Sequence, residues 1–200
     1  MQQTLTLSDS IWPGYRREAS PAKWIGRNVV LAVVFSALIG VCAHAKIRLG
    51  FTPVPITGQT FGVLLAGALL GPRLGTATLV LYLAEGAIGL PVFASGGGVA
   101  SYGYLVGFVL AACAVGFLAE RGWDRRPLTT AAMMAIGSLL IYICGVIWMI
   151  PIVGGLSRAI CLGVLPFLIG DALKAAAASA LLPLGWRLVG KSHGLPDRAP

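Results

Sequence analysis

The feature that most constrains this chain is a succession of long apolar segments joined by connections too short to carry a soluble core. They run over about 28–45, 56–71, 75–91, 102–119, 128–150 and 161–186. A hydrocarbon layer roughly 30 Å thick is crossed by a helix of about 17–25 apolar residues. The pattern predicts an all-α, polytopic membrane protein with six transmembrane helices in one bundle. That bundle occupies 28–188, between a flexible N-terminal tail, 1–27, and a C-terminal tail, 189–200. The content agrees: 57% of the residues are hydrophobic and only 11% charged, where soluble domains carry about a quarter charged. The second and third segments are the shortest and stand near the lower limit for a crossing.

The connections have their own chemistry. Pro53 and Pro55 hold 46–58 extended, because each also pushes its predecessor out of the helical region; this stretch is long enough to act as a lid. Gly71-Pro72-Arg73-Leu74-Gly75 reads as a tight turn, Ala94 to Gly98 as a flexible loop, and Glu120 to Pro127 as the densest charge cluster. Arg16 and Arg17 before the run 29–43 and Ala43-His44-Ala45 imitate a cleavable signal peptide. A first spanning helix fits better, because Lys46 and Arg48 then mark its far end.

A net charge of +8 would suggest nucleic acid in a soluble protein, but its distribution points elsewhere. With six spans, Arg16, Arg17, Lys23, Arg27, Arg73, Arg121, Arg125, Arg126, Arg187, Lys191 and Arg198 fall on the side of the termini. Only Lys46, Arg48 and Arg158 fall on the other. By the positive-inside rule both termini are cytoplasmic, in the cell (inner) membrane. Cys42, Cys113, Cys144 and Cys161 lie in or beside apolar segments without metal-binding spacing, so they read as small hydrophobes, and no metal is expected. His44 and His193 have no proton-transfer partner in sequence and read as incidental.

Against this apolar background Asp171 and Lys174 stand out. A charge at the centre of a membrane helix costs roughly 2.5 to 3.5 kcal/mol. The spacing of three puts both on one helix face, leaving two readings: a self-satisfied ion pair, or the wall of a polar pocket. Counted from residue 161 they lie about 15 and 20 Å along the last span. In a pocket, the ammonium would recognise a carboxylate and the carboxylate would accept amide or urea N–H groups. Glu85, with Tyr82 one turn earlier, either lines the same cavity or sits near the interface. Ala32, Ser36 and Gly40 form a small-residue stripe, suited to packing within the bundle or to docking a separate membrane subunit. Gly185 to Ser192 matches GxxxxGK[ST], but that pattern cradles phosphate only between a strand and a helix N-terminus; after a membrane helix it is coincidental.

Four blocks taken together are similar to a known family. Pro53 to Gly75 (PVPITGQTFGVLLAGALLGPRLG), Tyr82 to Gly98 (YLAEGAIGLPVFASGGG), Gly103 to Ala112 (GYLVGFVLAA) and Gly170 to Lys174 (GDALK) resemble the biotin transporter BioY family, over about 28–188. Those proteins are substrate-capture subunits of energy-coupling factor vitamin importers. The resemblance implies a six-helix bundle with an outward-facing pocket partly closed by the loop after the first helix. It also implies high-affinity biotin binding and uptake without catalysis, with biotin as transported ligand and no cofactor. Asp171 and Lys174 would contact biotin, with Tyr82, Tyr104 and Phe51 as candidate walls for its fused ring and Gln59 and Glu85 as polar contacts. Implied partners are a transmembrane coupling subunit, docked on Ala32, Ser36 and Gly40, and two cytoplasmic ATPase subunits. The run 96–104 is shorter than the family's GPTGGY-like loop, so no loop residue carries over as a ligand. The alternative from another class is a small intramembrane enzyme using Glu85 and Asp171 as an acid/base pair.

Overall fold

The computed structural model describes residues 6–11, 20–96 and 98–192, with side chains to 189. His193 and the ends of both tails lie outside the described residues. The long helices are α2 (Pro21–His44), α3 (Gln59–Ala87), α4 (Tyr102–Ala119), α5 (Pro127–Val153) and α7 (Leu168–Ser192), with short helices α1 (Leu7–Ile11) and α6 (Leu156–Gly163). Two-residue strands β1 (Lys46–Ile47) and β2 (Ile56–Thr57) pair antiparallel, Lys46 opposite Thr57, and close the loop after α2 into a hairpin.

Five helical stretches are long and apolar enough to cross a membrane, and one of them makes two passes. In α3 the helix breaks at Gly71, whose φ of 78° and ψ of 178° are glycine geometry, followed by Pro72. A Cβ on Gly75 would lie 3.1 Å from the Gly67 Cα. Eight residues of unbroken helix would separate these two by about 12 Å. The chain therefore doubles back, giving six passes. The two arms, 59–70 and 72–87, are roughly 18 and 24 Å long, less than a full hydrocarbon thickness.

The centre is α3, α4 and α5, packed through small residues. A Cβ on Gly67 would fall 2.6 Å from the Ala112 carbonyl oxygen, and one on Gly107 2.8 Å from the Ile141 Cα. Such backbone approach suits a bundle in lipid, where close packing replaces the hydrophobic drive between helices. Leu79, Tyr82, Val115, Met133, Met134, Ile141 and Met149 fill the core. On the outside of α2, Val29, Val30, Val33, Val34 and Val41 are exposed.

Three expectations need correction. The N-terminal region is not wholly a flexible tail: α2 begins at Pro21, and α1 packs against the bundle with Leu7 buried and Asp9 paired to Arg27 at 3.0 Å. The last apolar segment is not one helix, because Val164 leaves helical geometry and Leu165–Phe167 form a 3₁₀ turn around Pro166; proline lacks an N–H and is best accommodated in a first turn. The stripe Ala32, Ser36 and Gly40, expected as a docking face, is turned largely into the bundle. Ser36 is buried against Glu85, Gly40 is buried against Val92, and Ala32 is half-buried. The segment Gly185 to Ser192 is the helical end of α7, not a phosphate loop.

At the end of the bundle bearing the 71–73 and 120–126 turns, Asp124 is fully buried. Its carboxylate accepts a hydrogen bond from the Trp186 indole, and Arg125 stacks 4.6 Å from that ring. Burial pushes the Asp124 carboxyl above its ordinary value, and the Trp186 bond only partly offsets this. With the folded value raised, stability is fully present below the ordinary aspartate range, about pH 4, and is lost as pH rises through the folded value. Asp124→Asn keeps an acceptor for Trp186 and removes the buried charge. Its thermal midpoint in detergent should equal or exceed wild type at neutral pH, with a flatter pH dependence above about pH 4.

Candidate ligand-binding site

At the opposite end the helices diverge around a cavity of about 240 Å³. Its walls come from the β1–β2 loop and the start of α3 (Val54, Thr57, Gln59, Thr60), the loop before α4 (Phe93, Ala94, Gly98), α4 (Tyr104, Phe108), α5 (Ile141, Tyr142) and α7 (Asp171, Lys174). Phe167, in the turn between α6 and α7, completes the aromatic side, with its ring centroid 6.4 Å from that of Tyr104. One pole is therefore charged and the rest mostly apolar, as in most small-molecule sites.

The charged pole is a closed network. Lys174 Nζ donates to Asp171 Oδ1 (2.9 Å), Thr60 Oγ1 (2.7 Å) and the Thr57 carbonyl (2.9 Å). Thr60 Oγ1 donates to Asp171 Oδ1 at 3.3 Å, and the Tyr142 hydroxyl donates to Oδ2. All three protons of the ammonium are thus engaged, whereas the carboxylate, with about four lone-pair positions, keeps one on Oδ2. The Lys174 and Asp171 side chains are 20% and 10% exposed, and both line the cavity. Both sequence readings hold together: the pair is satisfied internally and lines a pocket. The helix break at 164–167 places Asp171 in the first turn of α7, where a carboxylate is favoured by the helix dipole. Asp171 and Lys174 consequently lie about 5 and 9 Å from the start of their helix, nearer the bundle's end than an unbroken 161–186 helix would put them.

The other expected residues separate. Gln59 and Tyr104 line the cavity, and Tyr104 is fixed by donating to the Gly163 carbonyl at 2.9 Å. Tyr82 stands behind the wall: its hydroxyl accepts from Gln59 Nε2 at 2.6 Å and donates to the Val92 carbonyl at 2.9 Å, and its ring meets Phe93 edge-on. Phe51 is 64% exposed and does not line the cavity. Glu85 does not either; it is held by Ser36 of α2, so no acid/base pair with Asp171 forms. His44 bonds the Gly40 carbonyl of its own helix. Sequence reasoning missed Thr57, Thr60, Tyr142, Phe93 and Phe167, as well as the wall supplied by Ala94 and Gly98 of the short loop. Only Tyr142 carried a signal, as the single tyrosine of an apolar span. The others depend on which helix ends meet.

These features define a class: a polytopic helical membrane protein with a cavity of small-molecule size inside one end of its bundle. Within that class the chain belongs to the BioY family, whose family model matches residues 16–191. It is 40% identical to the probable biotin transporter BioY of Pyrococcus horikoshii, over 76% of this chain and 91% of that one. It is 37% identical to the biotin transporter BioY of Thermotoga maritima, over 78% and 93% of the two chains, and 36% identical to that of Rhizobium etli, over 78% and 90%. Its fold superposes with a TM-score of 0.70, at 25% identity over 82% of this chain and 93% of the other, on a crystal structure of the S-component for biotin from an ECF-type ABC transporter.

Removing one member of a buried pair strands the other's charge, at a cost of about 3–5 kcal/mol. Lys174→Ala should therefore lower the thermal midpoint in detergent clearly. Adding Asp171→Leu to Lys174→Met should recover most of the loss.

Proposed function

We propose that this chain binds biotin in the cavity and serves as the substrate-specific subunit of an energy-coupling factor importer, doing no covalent chemistry. The observation that carries the reading is the Asp171–Lys174 pair opening into a cavity whose remaining walls are aromatic and aliphatic. Biotin combines a ureido group with two N–H donors, an apolar fused ring and a carboxylate. The free lone-pair position on Asp171 Oδ2 suits a ureido N–H. Phe93, Tyr104, Phe108 and Phe167 suit the ring. Lys174 takes the carboxylate, by exchange for one of its present acceptors; the Thr57 carbonyl is the one that belongs to the lid. Family membership supports the same ligand.

The proposed setting follows from the charges. Arg73, Arg121, Arg125, Arg126 and Arg187 lie in the turns and helix end opposite the cavity, which supports cytoplasmic termini and a cavity facing outward from the cell membrane. The partners are a transmembrane coupling subunit and two ATPase subunits, which supply the energy that this subunit's bundle does not.

Radiolabelled biotin incubated with the purified chain should be retained and recovered unchanged; a modified product would sink the transport reading. Tyr142→Phe removes the donor to Asp171 Oδ2, a charged hydrogen bond worth roughly 1.5–3 kcal/mol. It should weaken biotin binding by about tenfold or more while leaving the folded bundle intact. Wild-type affinity in Lys174→Ala would exclude that residue as the carboxylate partner.

A further inference from the structure

Two basic residues converge on one neutral oxygen beside the cavity. Lys46 Nζ donates to the Ser95 hydroxyl and, at 3.3 Å, to the Ser95 carbonyl; Arg48 Nη2 donates to the same carbonyl at 2.9 Å. Ser95 follows Ala94, which lines the cavity, and Lys46 pairs across the β ladder with Thr57, which also lines it. The exposed guanidinium lies against Gly96, whose φ is 101° and whose Cβ, if present, would fall 2.6 Å from Arg48 Cζ. That backbone conformation favours glycine.

The charges are uncompensated. Among the described residues the ion pairs are Arg27–Asp9 and Lys174–Asp171, and neither includes Lys46 or Arg48. A carbonyl dipole shared by two cations leaves them repelling each other. It also leaves donors open: one N–H of the ammonium and about four of the guanidinium have no protein acceptor among these contacts. Deeper in the cavity the situation is reversed, since the protons of Lys174 are all engaged. An entering anion thus meets free donors first at the rim and engaged ones afterwards.

We propose that Lys46 and Arg48 form an anion-capture site at the cavity rim, which takes the carboxylate of an incoming ligand before it passes to the interior. The proposal rests on the biotin reading, in which that carboxylate is biotin's own. The chemistry required is an oxyanion between an ammonium and a planar guanidinium fork. A phosphate of an anionic lipid headgroup would satisfy the same donors. The ligand carboxylate is favoured because both residues are anchored to segments that form the cavity wall. Charges at a rim act chiefly on the association rate and its salt dependence.

The test is stopped-flow association of biotin with the full chain in nanodiscs of phosphatidylcholine alone, comparing wild type with Lys46→Gln/Arg48→Gln. At low salt the association rate of the variant should fall about three- to tenfold, with the dissociation rate little changed. The difference should shrink at about 1 M salt, where the Debye length is about 3 Å. The uncharged amide of biotin should associate with both proteins at one rate, which also shows that the variant is folded. Lys46→Arg/Arg48→Lys, which keeps both charges, should keep the wild-type rate. An unchanged biotin rate, or equal slowing for biotin and its amide, would overturn the capture site. So would a wild-type rate that drops to the variant's when phosphatidylglycerol is added, since the occupant would then be lipid. Failure of wild type to bind biotin at all would overturn the functional reading along with it, whereas normal affinity with an unchanged association rate overturns the capture site alone.

Discussion

An ammonium and a carboxylate in the wall of a membrane bundle persist only where every donor and acceptor they bring is answered. In this chain the answer is assembled from three directions: Thr57 and Thr60 from the start of α3, Tyr142 from α5, and Asp171 and Lys174 from α7. The network therefore fastens the helices to one another where they would otherwise splay apart. It makes the cavity a consequence of the same contacts that neutralise the charges. Desolvation disfavours both ions, so the network has to be nearly complete before any ligand arrives.

The opposite end of the bundle is built by close approach. Gly67 meets Ala112, and a Cβ on Gly116 would come within 2.8 Å of the Pro72 Cα, so the fold-back of α3 is clamped against α4 by backbone contact. Small residues draw the helices together there. Large ones (Phe93, Tyr104, Phe108, Phe167) keep them apart at the other end. The taper leaves room for a small molecule at that end. The lid segment is secured separately: Thr52 donates to the Leu162 carbonyl at 2.7 Å, and the Gly58 N–H bonds back to the end of α2. The cavity is thus bordered by elements joined through side chains and loops.

Lys174 was legible because a lysine in an apolar segment has no ordinary explanation, and its spacing from Asp171 made the pair visible. Gln59 and Tyr104 followed from the family resemblance. Glu85, Tyr82 and Phe51 were misassigned because a residue's type announces polarity or bulk but not its direction. Glu85 turns to Ser36 on α2, Tyr82 turns behind the wall to hold Gln59, and Phe51 points outward. The stripe on α2 failed for the same reason: small residues permit close approach without saying which neighbour approaches.

The sequence by itself determined that the chain crosses a membrane several times as helices, because hydropathy and length are local sums that no packing can reverse. It also determined that Asp171 and Lys174 share a face, because helical periodicity is local. Only the tertiary structure decided that α3 doubles back at Gly71, that a break at 164–167 moves the pair into the first turn of α7, and that Thr57, Thr60 and Tyr142 complete its hydrogen bonds. Those outcomes depend on which helices meet and at what depth. Such contacts are set by steric fit and charge neutralisation among residues as far as 117 positions apart in the chain.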